Sequence, residues 1–165
     1  MSGIPVGSLL VFAALVALSS GCALRFAPPP AARVPSLHIS DAALEGDATR
    51  RASLRLVLQG LDEDADGRAA TARSSYERAI QIDPTNPYAY LALARHEVDA
   101  ERWKRALEAL DQAELLFASE SAPGVEAHFA GLRGAAGLGK GYGDDSELLL
   151  DRATRIAPEV WADGH

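Results

Sequence analysis

YERAIQIDPTNPYAYLALA, residues 76–94, places two prolines three positions apart between two alanine-rich amphipathic runs. Proline lacks an N–H and its ring clashes with the preceding turn. Pro84 therefore cannot sit inside a helix, and Asp83 before it is pushed out of helical geometry. The helix that carries Tyr76, Ala79 and Ile80 must stop near Ile82. Asn86 followed by Pro87 reads as a helix start: an N-cap side chain, then proline in the first turn, where a missing N–H costs nothing. So short a connection makes the flanking helices antiparallel neighbours.

The same corner recurs along the chain. The first frame is Ala72, Tyr76, Ala79, Pro84; shifted by 34 residues it reads Ala106, Leu110, Ala113, Ala118. Shifted again, with six extra residues in ASESAPG (118–124), it reads Ser146, Leu150, Ala153, Pro158. Small residues at helical spacing let two helices approach closely, and the larger one between them fills the groove. Upstream of each frame lies another helix: Leu54, Leu56, Val57, Gly60 and Leu61, then Tyr90, Leu91, Leu93, Ala94 and Val98, then Phe129, Leu132, Gly134 and Leu138. Turn glycines Gly67 and Gly141 separate the first and third pairs, and Ala100-Glu101 fills the corresponding place in the second.

This alternation of small and bulky residues with a closing proline resembles the tetratricopeptide repeat family, a helix–turn–helix of 34 residues. The resemblance implies an all-α fold: a short right-handed solenoid of about three repeats, 53–86, 87–120 and 127–160, with a tail at 161–165. The chain departs from the family pattern at Gln59, where leucine is usual, at Glu97, where an aromatic is, and at Ala118 in place of the closing proline. An array of this kind needs a capping element. Either Trp161, in EVWADGH, folds back over the last pair, or an apolar face stays open and the protein forms a homodimer through its C-terminal repeat or docks a partner there.

Residues 1–24 carry no charged side chain, and IPVGSLLVFAALVAL within them is a signal-type apolar core followed by LSSGC. This block resembles a bacterial lipoprotein signal peptide (1–21) with its lipobox, which implies that Cys22 becomes the lipidated first residue. Ala23 after it favours the outer membrane, with the protein lipid-anchored on the periplasmic face. The stretch is also long enough to span a bilayer uncut, as an N-terminal anchor in the inner membrane. RFAPPPAARVPS (25–36) reads as a semi-rigid tether within a 22–39 linker, and 40–52 as a helical arm in which Ser40 or Asp41 caps one segment, Gly46 interrupts, and Asp47 caps the next. Cys22 is the single cysteine, so stability rests on helix packing. A net charge of −7 argues against binding nucleic acid or anionic headgroups through bulk electrostatics.

Four patterns approach a chemistry and each lacks a member. DEDADG (62–67) supplies half of a calcium loop, but Arg73 stands where the bidentate acid belongs; the sequence reads as a solvated acidic turn. HEVDA (96–100) has Ala100 where a second zinc-binding histidine belongs, leaving His96 as a partly exposed helix residue. GAAGLGKG (134–141) has Gly141 in place of the hydroxyl a P-loop needs and no strand before it, so Gly137, Gly139, Gly141 and Gly143 read as a loose helix end and flexible turn. His38, His128 and His165 are isolated, with no nucleophile elbow. No catalytic residue, metal or cofactor is expected.

Resemblance to the family places the first helix of each pair on the concave face. There the candidate partner-binding residues are Leu54, Val57, Leu61, Tyr88, Leu91, Arg95 and Val98, with His128 in the third repeat. An apolar stripe is as readily core as surface, so Tyr88 and Arg95 are the stronger candidates. Val57 and Leu61 occupy positions where the family's carboxylate clamp carries polar residues, so an apolar helix or extended segment, with an acid for Arg95, is the expected ligand. The function implied is a non-enzymatic adaptor lipoprotein for cell-envelope assembly, holding an envelope protein in its groove; a narrower version resembles lipoproteins that pilot secretins during pilus assembly. The alternative is an accessory subunit that positions a periplasmic cell-wall enzyme.

Overall fold

The computed structural model describes residues 39, 46–118 and 124–162. The signal segment 1–21, Cys22, the rest of the tether, Ser40 and Asp41 of the arm, most of the ASESAPG loop, His38 and the tail beyond 162 lie outside the described residues.

Helix α1 (Ala48–Ala65) begins where the side chain of Asp47 accepts from the Arg50 N–H at 2.8 Å. Helix α2 (Ala69–Ile82) ends at the Asp83–Pro84 block, with Asp83 extended at φ −135°. Asn86 caps α3 (Pro87–Asp99) by accepting from the Tyr88 N–H at 3.1 Å, and Pro87 occupies the first turn. Helices α4 (Trp103–Phe117), α5 (Val125–Gly139), α6 (Gly143–Ile156) and the short α7 (Pro158–Trp161) follow. Consecutive helices pack as the hairpins α1/α2, α3/α4 and α5/α6, and these stack through α2 on α3 and α4 on α5, with α1, α3 and α5 also adjacent. The result is an all-α solenoid of three helical pairs.

Each pair is closed by the same turn. Gly67 N–H bonds Asp64 C=O while Arg68 N–H bonds Glu63 C=O; Glu101 and Arg102 repeat this on Val98 and Glu97, and Gly141 and Tyr142 on Leu138 and Gly137, all at 2.8–2.9 Å. This closure needs a left-handed residue, which glycine adopts without strain. Gly67 and Gly141 supply it at φ 74° and 82°, whereas the second pair uses Glu101 at φ 55°.

The small positions carry the helix crossings. A Cβ on Gly60 would lie 2.4 Å from the Tyr76 ring, and one on Gly134 2.7 Å from Leu150 Cγ. Ala94 and Leu110, both fully buried, hold the equivalent places in the second pair. The glycines of 134–141 correct the sequence reading: Gly137 and Gly139 are helical, and a Cβ would lie 2.2 Å from Ser146 Oγ at the first and 2.3 Å from the Trp103 ring at the second. They are sites of close approach; Gly141 forms the turn, and Gly143 begins α6.

At the C-terminal end α7 turns Trp161 back onto the last pair. Its indole is buried, lies edge-on to His128 with ring centres 6.4 Å apart, and fills the space a side chain on Gly131 would need. Of the two outcomes expected for Trp161, the folded-back one holds.

Candidate functional site

The residues placed on the concave face divide by burial. Leu54 is 1 % exposed, Val57 0 %, Leu91 5 % and Val98 4 %. These four are therefore core, a correction to their reading as partner-binding surface. Exposing any of them to meet a partner would forfeit about 1.5–3 kcal/mol of apolar burial. Leu61 is half-buried against the cluster around Val57 and Tyr76. Tyr88 is half-buried too, its ring edge-on to Phe117 at 5.0 Å, and Phe117 meets Phe129 in the same manner at 5.8 Å. Arg95 alone among the seven is exposed, and it forms no ion pair or hydrogen bond with another described residue.

Arg95 sits at the centre of α3, where its charge reaches both neighbouring pairs. Burial pushes the His128 imidazole below its ordinary pKa, and the Arg95 charge adds to that. Burial likewise raises the Tyr76 hydroxyl well above its ordinary value, helped by its hydrogen bond to Asp64, while Arg95 opposes the rise. A guanidinium held over this face without a protein carboxylate is positioned to receive one from outside.

Beneath this face the first junction is polar, which the sequence reading missed. His96 is buried, not partly exposed: its Nδ1 lies 2.9 and 3.1 Å from the two oxygens of Asp64, which also accepts from the Tyr76 hydroxyl at 2.9 Å. Glu97, at the position where an aromatic is usual, is 2 % exposed and paired with Arg102 and with Arg73, the latter at 3.4 Å. The equivalent residue of the first pair, Glu63, is also buried and accepts from Gln59 and Ser75 at 2.9 and 2.7 Å. Those two bonds, Gln59 first, hold its carboxyl below the usual range against the effect of burial. Asp62 through Ala65 are thus the last turn of α1, and the reading of 62–67 as a solvated turn is corrected: Glu63 and Asp64 are committed to protein partners, and only Asp66 and Gly67 turn. Arg73, which blocked the calcium pattern, forms an ion pair with Glu77 at 2.9 Å as well as with Glu97.

A third element ties α1 to the corner from which the sequence reading began. Asn86, fully buried, donates Nδ2–H to Ser53 Oγ at 2.8 Å, and that hydroxyl donates to the Ala79 carbonyl at 2.8 Å. Arg50 pairs with Asp83 and donates to the Thr85 carbonyl at 3.0 Å. Burial alone would raise the Asp83 carboxyl, but its bonds from Arg50 and Thr85 outweigh burial and hold it below its ordinary value.

Where the second and third pairs meet, the face opens into a cleft of about 390 Å³ bounded by Val98, Trp103, Ala135, Leu138 and Leu150, with Asp99 and Glu101 at its edge. None of its polar residues was singled out from sequence as a site, although Glu101 carried a signal: it stands where the other two copies have Gly67 and Gly141.

Comparison with known proteins agrees with this architecture. Residues 65–122 match a family model described as Tetratricopeptide repeat. The fold is similar to that of the Arabidopsis OM64 TPR domain, with a TM-score of 0.56 and 16 % identity, over 68 % of this chain and 88 % of that one. At this identity the likeness concerns the fold. No curated protein matches the sequence. With three stacked helix–turn–helix pairs, a shared small–large–small frame and these matches, the chain has the tetratricopeptide repeat fold, and its residues 65–122 match the family's model.

Proposed function

We propose that the chain is a non-enzymatic scaffold that binds a segment of another protein along α1, α3 and α5, in the service of cell-envelope assembly. The observation that carries this reading is Arg95: a permanently charged side chain, central and exposed, with no carboxylate from the described residues, flanked by the half-buried Tyr88 and His128. Arginine and tyrosine are residue types that concentrate binding energy at interfaces. A segment with an apolar side against the groove and an acid for Arg95 meets both needs. The titratable groups beneath the groove are already engaged with one another, which favours binding over catalysis.

The envelope part of the proposal rests on the amino-terminal sequence. A charge-free apolar stretch ending in LSSGC supports lipidation at Cys22, and a proline-rich tether then holds the repeats off the outer membrane on its periplasmic side. Envelope assembly, including secretin piloting, is the setting this arrangement would serve.

Affinity capture from detergent-solubilised envelopes tests the groove. A partner retained by the wild-type chain is expected to be lost with Arg95→Glu, while circular dichroism stays unchanged; equal retention would remove the groove from the proposal. Tyr88→Ala is the poorer probe, because Tyr88 also supports Phe117. Palmitate incorporation that survives Cys22→Ser would reject the anchor.

A further inference from the structure

The cleft between the second and third pairs combines features that the groove reading leaves unused. Trp103, Ala135 and Leu138 give it apolar walls over the buried Val98, and Leu138 keeps 40 % of its surface exposed. The Trp103 ring lies so close over Gly139 that a single Cβ there would sit 2.3 Å from it; the missing side chain seats this wall. Asp99 and Glu101 stand at the edge, both exposed and neither in an ion pair with another described residue.

Glu101 adds an independent observation. It is the sole non-glycine residue with positive φ among the described residues, at 55°, in a turn whose equivalents are Gly67 and Gly141. The hydrogen bonds closing the turn are the same in all three, so the turn itself does not require the carboxylate. A strained side chain where glycine would serve points to a use for that side chain.

We propose that this cleft takes one apolar side chain of a partner protein segment, leucine- or phenylalanine-sized, with a lysine or arginine beside it that meets Asp99 and Glu101. The occupant is fixed by charge: an apolar pocket edged by two carboxylates that pair with no other described residue, on a chain of net charge −7, selects a cation next to the anchor and repels an acid. The proposal rests on the reading that the chain binds protein segments. It adds a second point of contact one helical turn along α3 from Arg95, with the opposite charge preference.

The test is selection of a phage-displayed random dodecapeptide library on the immobilised full chain, followed by titration of the synthetic winners. Expected winners carry Leu, Ile, Met or Phe adjacent to Lys or Arg. Their affinity should fall about tenfold with Glu101→Gly, a change that keeps the turn by giving it the residue its equivalents use, and further with Asp99→Asn or Leu138→Gln. Binding should also weaken with added salt. Winners that lack a basic residue, or that ignore Leu138→Gln and Glu101→Gly, overturn the proposal. Winners that depend on Arg95 yet ignore the cleft variants overturn it while leaving the groove reading standing, and a library that yields no winner counts against both.

Discussion

Between the first and second helical pairs this protein buries charges and an amide beside the Tyr76 ring; between the second and third it packs rings, and the ion pairs of Arg133 with Asp111 and Glu114 lie at the surface. At the first junction Glu97 meets Arg73 across the pairs, Asp64 meets His96, and Asn86 meets Ser53. At the second, Phe117 of α4 stands between Tyr88 of α3 and Phe129 of α5. Both junctions connect the same kind of hairpin with the same turn, so the repeat frame specifies the crossing of helices but not what the seam is made of. Polar seams fix which pair of surfaces belong together, because an unpaired buried group is costly. The cleft opens at the apolar seam.

The contrast can be broken most directly at the aromatic seam. Phe117→Ala removes a buried ring that links its own pair, through Tyr88, to the third, through Phe129, and should cost about 3–5 kcal/mol. Hydrogen exchange should show α5 and α6 losing protection before α1 and α2; uniform loss would mean the two junctions are not separately stable. At the polar seam the effect should depend on which partner is removed. Arg73→Met with Arg102→Met strands the buried Glu97 carboxylate, at about 3 kcal/mol, whereas Glu97→Met leaves two partly exposed guanidiniums that can turn to solvent and should be nearly neutral. Equal destabilisation by both changes, measured by urea unfolding, would contradict that asymmetry. Asn86→Ala removes a helix cap and the donor to Ser53 together, and about 2 kcal/mol is the expected loss.

Acid should separate the regions more gently. Asp83 and Glu63 have folded pKa values below their unfolded ones, so the unfolded chain binds more protons as pH falls and their contribution is lost below the ordinary carboxylate range. The folded state also disfavours protonated His128, so stability starts to decline as pH falls through the imidazole range, near 6.5 in the unfolded chain. Thermal melts between pH 7 and about pH 2 should therefore show two limbs. His128→Gln should flatten the upper limb and Arg50→Met the lower. A single limb unaffected by either variant would refute the assignment.

What the sequence made legible follows from how local each cause is. Pro84, Asn86 and Pro87 act within a few residues, so the end at Ile82 and the start at Pro87 could be placed from chemistry alone. The small–large–small frame needs only the helical period, and it located the hairpins. The polar seam needed partners that periodicity does not reveal: a buried glutamate at position 97 makes sense only once Arg73, 24 residues back, is known to face it. The glycines of 134–141 were misread for the same reason, since what crowds them, Ser146, Leu150 and Trp103, belongs to other helices. In the groove the periodicity identified a face but not its depth, so Leu54, Val57, Leu91 and Val98 turned out to be core while Arg95 stayed outside.

The smallest predicted effect bears most directly on function. Glu101→Gly relieves a left-handed conformation that costs an ordinary residue about 1–2 kcal/mol, and part of that gain returns as the greater chain entropy of glycine in the unfolded state. A net stabilisation of about 0.5–1 kcal/mol is expected, readable as a raised urea midpoint with unchanged slope. Gly67→Glu provides the converse at a turn with the same hydrogen bonds and open space around the missing side chain, and should destabilise by a similar amount. If Glu101→Gly instead destabilised the chain, the carboxylate would have a structural task in the turn, and strain at that position would no longer argue for a ligand. If it stabilised the chain and weakened the basic peptides together, then stability has been traded at one residue for the ability to recognise a cation.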